Sequence, residues 1–198
     1  MNAQHLCRSV FVFVLIAVFA SSAAVAQTRH HDLSASYGIV TLDQITDILT
    51  DVLTIVLTFG TFGKTNTEYT GAPFLTYHYS AGGRFGVGLA AGWYRSKGDL
   101  VAGGATSGTF LENNFIGALE IDYHWLMKKG IQLYSGAGVG ARVRRGTYNL
   151  ETTEVKTQVL PTLHLNVLGI RVGGPVGFFA ELGAGYKGIV NVGLNAQF

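Results

Sequence analysis

Across residues 32 to 198, hydrophobic and polar positions alternate one by one, the period of a β-strand with two unlike faces. The clearest run closes the chain, where Val190, Val192, Leu194, Ala196 and Phe198 alternate with Asn191, Gly193, Asn195 and Gln197. Before it, Val176, Phe178, Ala180, Leu182, Ala184 and Tyr186 alternate with Gly177, Phe179, Glu181, Gly183, Gly185 and Lys187. Upstream, Ile131, Leu133, Ala137, Val139, Ala141 and Val143 oppose Gln132, Tyr134, Gly136, Gly138, Gly140, Arg142 and Arg144. Phe115, Leu119, Ile121, Tyr123 and Trp125 oppose Ala118, Glu120, Asp122 and His124, and Phe85 to Trp93 repeats the pattern against Gly86, Gly88 and Gly92. The pattern predicts eight strands, over residues 32–40, 68–80, 84–96, 114–127, 131–145, 154–172, 176–187 and 189–198. Tight turns follow the second, fourth and sixth: Ala81-Gly82-Gly83, Lys128-Lys129-Gly130 and Gly173-Gly174-Pro175. Longer, polar segments follow the first, third and fifth, and a short one the seventh. An even strand number with short turns on one side and long loops on the other predicts an all-β, antiparallel, up-and-down transmembrane barrel with both termini periplasmic.

Aromatic spacing supports a membrane rather than an aqueous setting. On the apolar faces Tyr69 and Tyr77, Phe85 and Trp93, Phe115 and Tyr123, and Phe178 and Tyr186 are each eight residues apart. Eight strand steps at a tilt of about 40° climb about 20 Å, near the roughly 25 Å apolar band of an outer-membrane barrel, so these rings read as two girdles. A soluble lipocalin-like barrel would turn the apolar faces inward and the glycine-rich faces to water. Glycine suits the cramped interior of an eight-stranded barrel better than a solvated strand surface.

One segment departs from period two. Within residues 42 to 59, Leu42, Ile45, Ile48, Leu49, Val52, Ile55, Val56 and Phe59 recur at helical spacing, with Thr41 as a start cap and Gly60 as a stop. The spacing predicts an amphipathic helix in the first extracellular loop, capping the lumen or lying at the lipid interface. The threonines and valines weaken helix propensity and leave a strand pair open. Asp43, Asp47 and Asp51 make one acidic stripe, expected as a solvated face or as a divalent-cation bridge to lipopolysaccharide phosphate.

Composition agrees with the pattern. The 198 residues include 27 glycines, are 48% hydrophobic and only 13% charged, and have a mean hydropathy of +0.30. Beyond residue 30 no clean apolar block of about 20 residues appears, so transmembrane helices are not expected. A formal charge of +2 gives no reason to expect nucleic acid. Residues 1–26 read as a secretory signal with Arg8, an apolar run over residues 10 to 20, and the cleavage site Ala24-Val25-Ala26. Sec export would remove Cys7 and leave a cysteine-free chain with a tail at 27–31 and a barrel at 32–198.

The last strand, with Val190, Val192 and Leu194 leading to a terminal Phe198, resembles the signal by which bacterial outer-membrane barrels are recognised by their assembly machinery. Residues 32 to 198 resemble the small eight-stranded barrels of the OmpA and OmpX type. Ser36-Tyr37-Gly38-Ile39-Val40, Thr70-Gly71-Ala72-Pro73-Phe74 and Tyr186-Lys187-Gly188-Ile189-Val190 are most similar to barrels of the Bacteroidota. The resemblance implies a monomer in the outer membrane, in contact with the bilayer and lipopolysaccharide, and leaves activity open.

Strand parity puts Glu120, Asp122, His124, Tyr134, Arg142, Arg144, His164, Glu181 and Lys187 in the lumen. Glu120 and Glu181 are expected at similar depth, with Arg142 the nearest cation to bridge them. The network would fill the lumen and fix register, or line a gated ion path. A structural or surface-interaction role is therefore expected, a narrow gated pore being the second reading and a lipid A-modifying enzyme the third. His78-Tyr79-Ser80 prompts that third reading, but His78 and Ser80 point inward near the periplasmic end, away from an outer-leaflet lipid. No catalytic residue, metal site or cofactor is assigned, and His30-His31 read as incidental tail residues.

Overall fold

The computed structural model describes residues 31–59, 62–80, 83–103, 105–150 and 152–198; the expected signal segment with Cys7, and His30 and Gly60, lie outside these. In chain order the elements are β1 (His31–Ile39), α1 (Leu42–Leu57), β2 (Phe62–Tyr69), β3 (Ala72–Ser80), β4 (Phe85–Ala102), β5 (Ala105–Lys128), β6 (Ile131–Asn149), β7 (Thr153–Gly173), β8 (Val176–Gly185) and β9 (Val190–Gln197). All strand pairs are antiparallel, and the β4–β5 pairing closes the sheet on itself. β2 pairs with the upper part of β4 and β3 with the lower part, so the two share one place in an eight-position ring.

Register sets the tilt. Starting at Pro161 on β7, partners run through Ala141, Gly117, Ala91, Leu75, Ala35, Leu194 and Phe178 and return to β7 at Val172, eleven residues on. A stagger of that order around eight strands corresponds to a tilt of about 40°. In the lower barrel every strand is paired on both sides and side chains divide between a wall that faces out and a lumen that faces in; above it β2 pairs only with β4, and the start of β7 only with β6.

The division is inverted relative to a water-soluble barrel. Leu119 is 63% exposed, Leu163 68% and Phe178 73%, while Asn114, Glu112, Arg171 and Lys187 are buried. The outward belt has a sharp upper edge. The row Trp93, Phe115, Val143, Val159 is followed two residues higher by Arg95, Asn113, Arg145 and Thr157. Arg95 lies over the Trp93 ring at 5.3 Å and donates to Asn113 at 3.1 Å.

Several features differ from the sequence expectations. The segments after the third and fifth predicted strands are not loops: β4 with β5 and β6 with β7 continue as paired hairpins, with strands of 18, 24, 19 and 21 residues against 9, 10 and 8 in β1, β8 and β9. The predicted strand over 68–80 is broken at Thr70-Gly71, where Thr70 exchanges hydrogen bonds with Arg95. A Cβ on Gly71 would overlap the Tyr37 ring. The break reverses parity, so Tyr69, opposite buried Ser96, sits on the inner face and not in a girdle. Tyr186 is likewise no girdle residue, being 0% exposed. β8 ends at Gly185 (φ +145°), and the turn through Gly188 (φ +98°) swings Tyr186 and Lys187 both inward. Of the other ring residues, Tyr77, Phe85, Phe115 and Phe178 are exposed on the outer wall, where Trp93 pairs with Phe115 and Tyr123 with Phe85. His31 is not a tail residue: it opens β1, stacks on Phe198 and bonds the Tyr77 hydroxyl at 2.7 Å.

Candidate functional site: a plugged lumen

The upper lumen is filled from α1. The helix forms, rather than a strand pair, because a capping box starts it: the Thr41 hydroxyl accepts from the Gln44 amide and Gln44 Oε1 accepts from the Thr41 amide, both at 3.1 Å. It stops with Thr58 as C-cap, two residues before Gly60. Gln44 Nε2 ties the first turn to the Thr70 carbonyl at 3.0 Å. One turn on, Asp47 accepts from Arg142 Nη1 at 3.1 Å and from Arg144 Nη2, and Arg142 also donates to the Tyr94 hydroxyl. Asp47 is therefore neither solvated nor a bridge to lipopolysaccharide; it is the counter-charge to two β6 arginines. Above it Glu112 accepts from Lys64 at 2.8 Å, Tyr148 at 2.6 Å and Ser96 at 3.3 Å.

The middle of the lumen holds a second carboxylate cluster. Glu120, on β5, accepts from Lys187 Nζ at 2.7 Å and the Tyr186 hydroxyl at 2.6 Å, with His78 Nε2 at 3.3 Å. Glu181, on β8, accepts from the Tyr134 hydroxyl at 2.9 Å and Asn191 at 2.6 Å. Arg142 thus does not bridge Glu120 and Glu181, because α1 claims it from above. Glu120 takes its cation from Lys187 instead. Asp122 lies between His78 (3.5 Å) and His124 (3.4 Å). His164, also buried, has no hydrogen bond to a described residue and packs beside the Tyr186 ring at 5.1 Å.

The tight-turn end is open. A cavity of about 450 Å3 lies between the turns at 128–130 and 173–175, lined by His78, Ser80, Asp122, His124, Tyr134 and Arg171 among others. Its wall is braced by Arg171, which donates to Asn195 at 2.8 Å and the Gly174 carbonyl at 2.7 Å, and by Asp32, which accepts from Gln197 at 2.9 Å and from Asn195. Above the vestibule a second cavity, lined by Glu120, His164, Glu181 and Lys187 among others, is about 20 Å3, room for about one water.

The structure buries Glu120, Asp122, Arg142, Glu181 and Lys187, which the sequence reading turns inward, and supplies their pairing. The sequence reading did not single out Glu112, Lys64, Tyr94 or Arg171. Parity carries a signal for three of them: Glu112 and Asn114 extend the Glu120 face of β5, Tyr94 continues the Gly86–Gly92 face of β4, and Arg171 is flanked by outward Ile170 and Val172. Lys64 lies before the break at Thr70-Gly71 and had no such signal. Among the described residues no group of three or more histidine and carboxylate side chains is arranged to hold a metal ion.

A closed eight-position antiparallel ring with an apolar outer wall and a charged, side-chain-filled lumen is the architecture of the small outer-membrane β-barrels. The chain is similar to the N-terminal β-barrel domain of Pseudomonas aeruginosa OprF, with a TM-score of 0.51 and 12% identity over 86% of this chain and 98% of that one. It is also similar to Ail, the attachment invasion locus protein of Yersinia pestis, solved with the heparin analogue sucrose octasulfate: TM-score 0.44, 11% identity, 85% of this chain and 97% of that one. Identities this low speak for the fold alone. No protein-family model and no curated protein matches the sequence.

Proposed function

We propose that the protein is an integral outer-membrane barrel whose lumen is closed, serving a structural or surface-interaction role through the tall hairpins of β4 to β7. The observation that carries this reading is the plug: Asp47 of α1 is clamped by Arg142 and Arg144 over a lumen already crossed by the Glu120–Lys187 pair. Charged side chains that neutralise one another inside a narrow barrel fill it and fix register rather than conduct. In this reading the chain is exported through the Sec pathway, loses residues 1–26, and is folded by the assembly machinery through Val190, Val192, Leu194 and Phe198. It works as a monomer without cofactor, metal or catalytic activity. Its lipid partners are the bilayer at the outer wall and lipopolysaccharide, whose phosphates suit Arg95 and Arg145 flanking Asn113 at the upper edge of the belt.

A gated narrow pore is the second reading, favoured by the 450 Å3 vestibule that leads up to the plug. Planar-bilayer recordings separate the two. The closed reading expects the native chain to insert without conductance steps, and stable native conductance that falls on Glu120→Gln would favour the pore. A lipid-modifying activity would show as altered lipid A masses on deletion of the gene, and unchanged masses are expected.

A further inference from the structure

α1 is amphipathic in an unusual direction. Its polar side chains Gln44 and Asp47 turn toward the barrel, where they are bonded to Thr70, Arg142 and Arg144. Among helix residues whose side chains are described, every exposed one is leucine, valine or threonine. Leu49, Leu53, Val56 and Leu57 are each more than half exposed, and Phe59, just past the C-cap, is 96% exposed. A solvated helix face normally carries charge, and a contiguous apolar patch of this kind marks a contact surface.

Two further observations indicate what covers it. The threonines on this face ask nothing of water: the hydroxyls of Thr50, Thr54 and Thr58 donate to the carbonyls of Thr46, Thr50 and Thr54 at 2.8, 2.8 and 2.7 Å. Side-chain groups satisfied within their own helix are what a hydrocarbon surrounding requires. The face also continues the apolar wall. Tyr37 and Ile39 are exposed at the top of β1, Val40 and Ile189 beside them are exposed, and Ile189 N donates to the Ile39 and Val40 carbonyls at 3.1 Å, so the belt runs directly into the start of α1.

We propose that the Leu49–Leu53–Val56–Leu57 face of α1 lies against the acyl chains of the outer leaflet, so that one helix plugs the lumen with its polar side and extends the lipid belt with its apolar side. The inference rests on the outer-membrane reading above. It is tested with nitroxide labels on the full chain carrying Cys7→Ser, placed singly by Leu53→Cys, Leu57→Cys and, as a belt reference, Leu119→Cys. The protein is reconstituted in phosphatidylcholine vesicles and collision rates with oxygen and with a water-soluble nickel chelate are compared. Labels at residues 53 and 57 are expected to favour oxygen over nickel, as at residue 119. Nickel-favouring collisions at 53 and 57 with oxygen-favouring ones at 119 would overturn the inference alone, as would shielding of 53 and 57 from both reagents, which would indicate a protein cover. Nickel-favouring collisions at all three would overturn the membrane reading itself.

Discussion

Glu120 shows how a carboxylate is kept inside this barrel. It is 7% exposed, and the side chains of Lys187 and Tyr186 meet it from the same β8–β9 turn, so a single local excursion of the chain satisfies both oxygens. Breaking a buried pair by removing one partner typically costs about 3–5 kcal/mol, because the other charge is left buried and alone. Lys187→Met is therefore expected to lower the urea midpoint of unfolding well below the native value. Glu120→Gln with Lys187→Met together should recover part of that loss, since both charges then leave. Gly138 is held to glycine by the same cluster: a Cβ there would overlap the Tyr186 hydroxyl and lie 3.2 Å from Glu120 Cγ. Overpacking of this kind costs about 1–3 kcal/mol, and Gly138→Ala is expected to destabilise by that order in the same unfolding experiment. An unchanged midpoint would show that Tyr186 does not hold Glu120 as described.

At the scale of elements, α1 and the wall depend on each other through one aspartate. Asp47 accepts from both Arg142 and Arg144, so Asp47→Asn would take away the charge that ties α1 to β6. The helix should then loosen while the barrel persists. Hydrogen exchange is expected to lose protection in residues 45 to 57 and to keep it in β5, β6 and β7; equal loss in the strands would mean that α1 is integral to the fold rather than seated on it. The same element scale explains where periodicity misled. Alternation holds only while a strand continues, and at Thr70-Gly71 and at Gly185 the chain leaves the ladder, which is why Tyr69 and Tyr186 turn inward despite their even spacing from Tyr77 and Phe178.

Across the whole molecule, the antiparallel barrel and the inward side of Glu120, Asp122, Arg142 and Glu181 were legible because one residue of parity decides lipid or lumen, whereas Lys187 turns inward because the chain leaves the ladder at Gly185. Pairings within the lumen were not. Whether Arg142 meets Glu181 or Asp47 depends on the stagger of the ring, which leaves no trace in local sequence, and on how the helix legible at 42 to 59 is seated over it. The height of the wall was likewise hidden, since above Arg95 and Arg145 the hairpins carry polar residues on both faces and read as loops. The account makes the whole molecule a closed barrel, with α1 as its upper stopper and a blind vestibule below. Planar-bilayer recording of the inserted native chain beside Asp47→Ala tests this most directly. The account predicts no conductance steps from the native protein and none from Asp47→Ala, in which the Glu120–Lys187 pair still crosses the lumen. A steady conductance from either would contradict it.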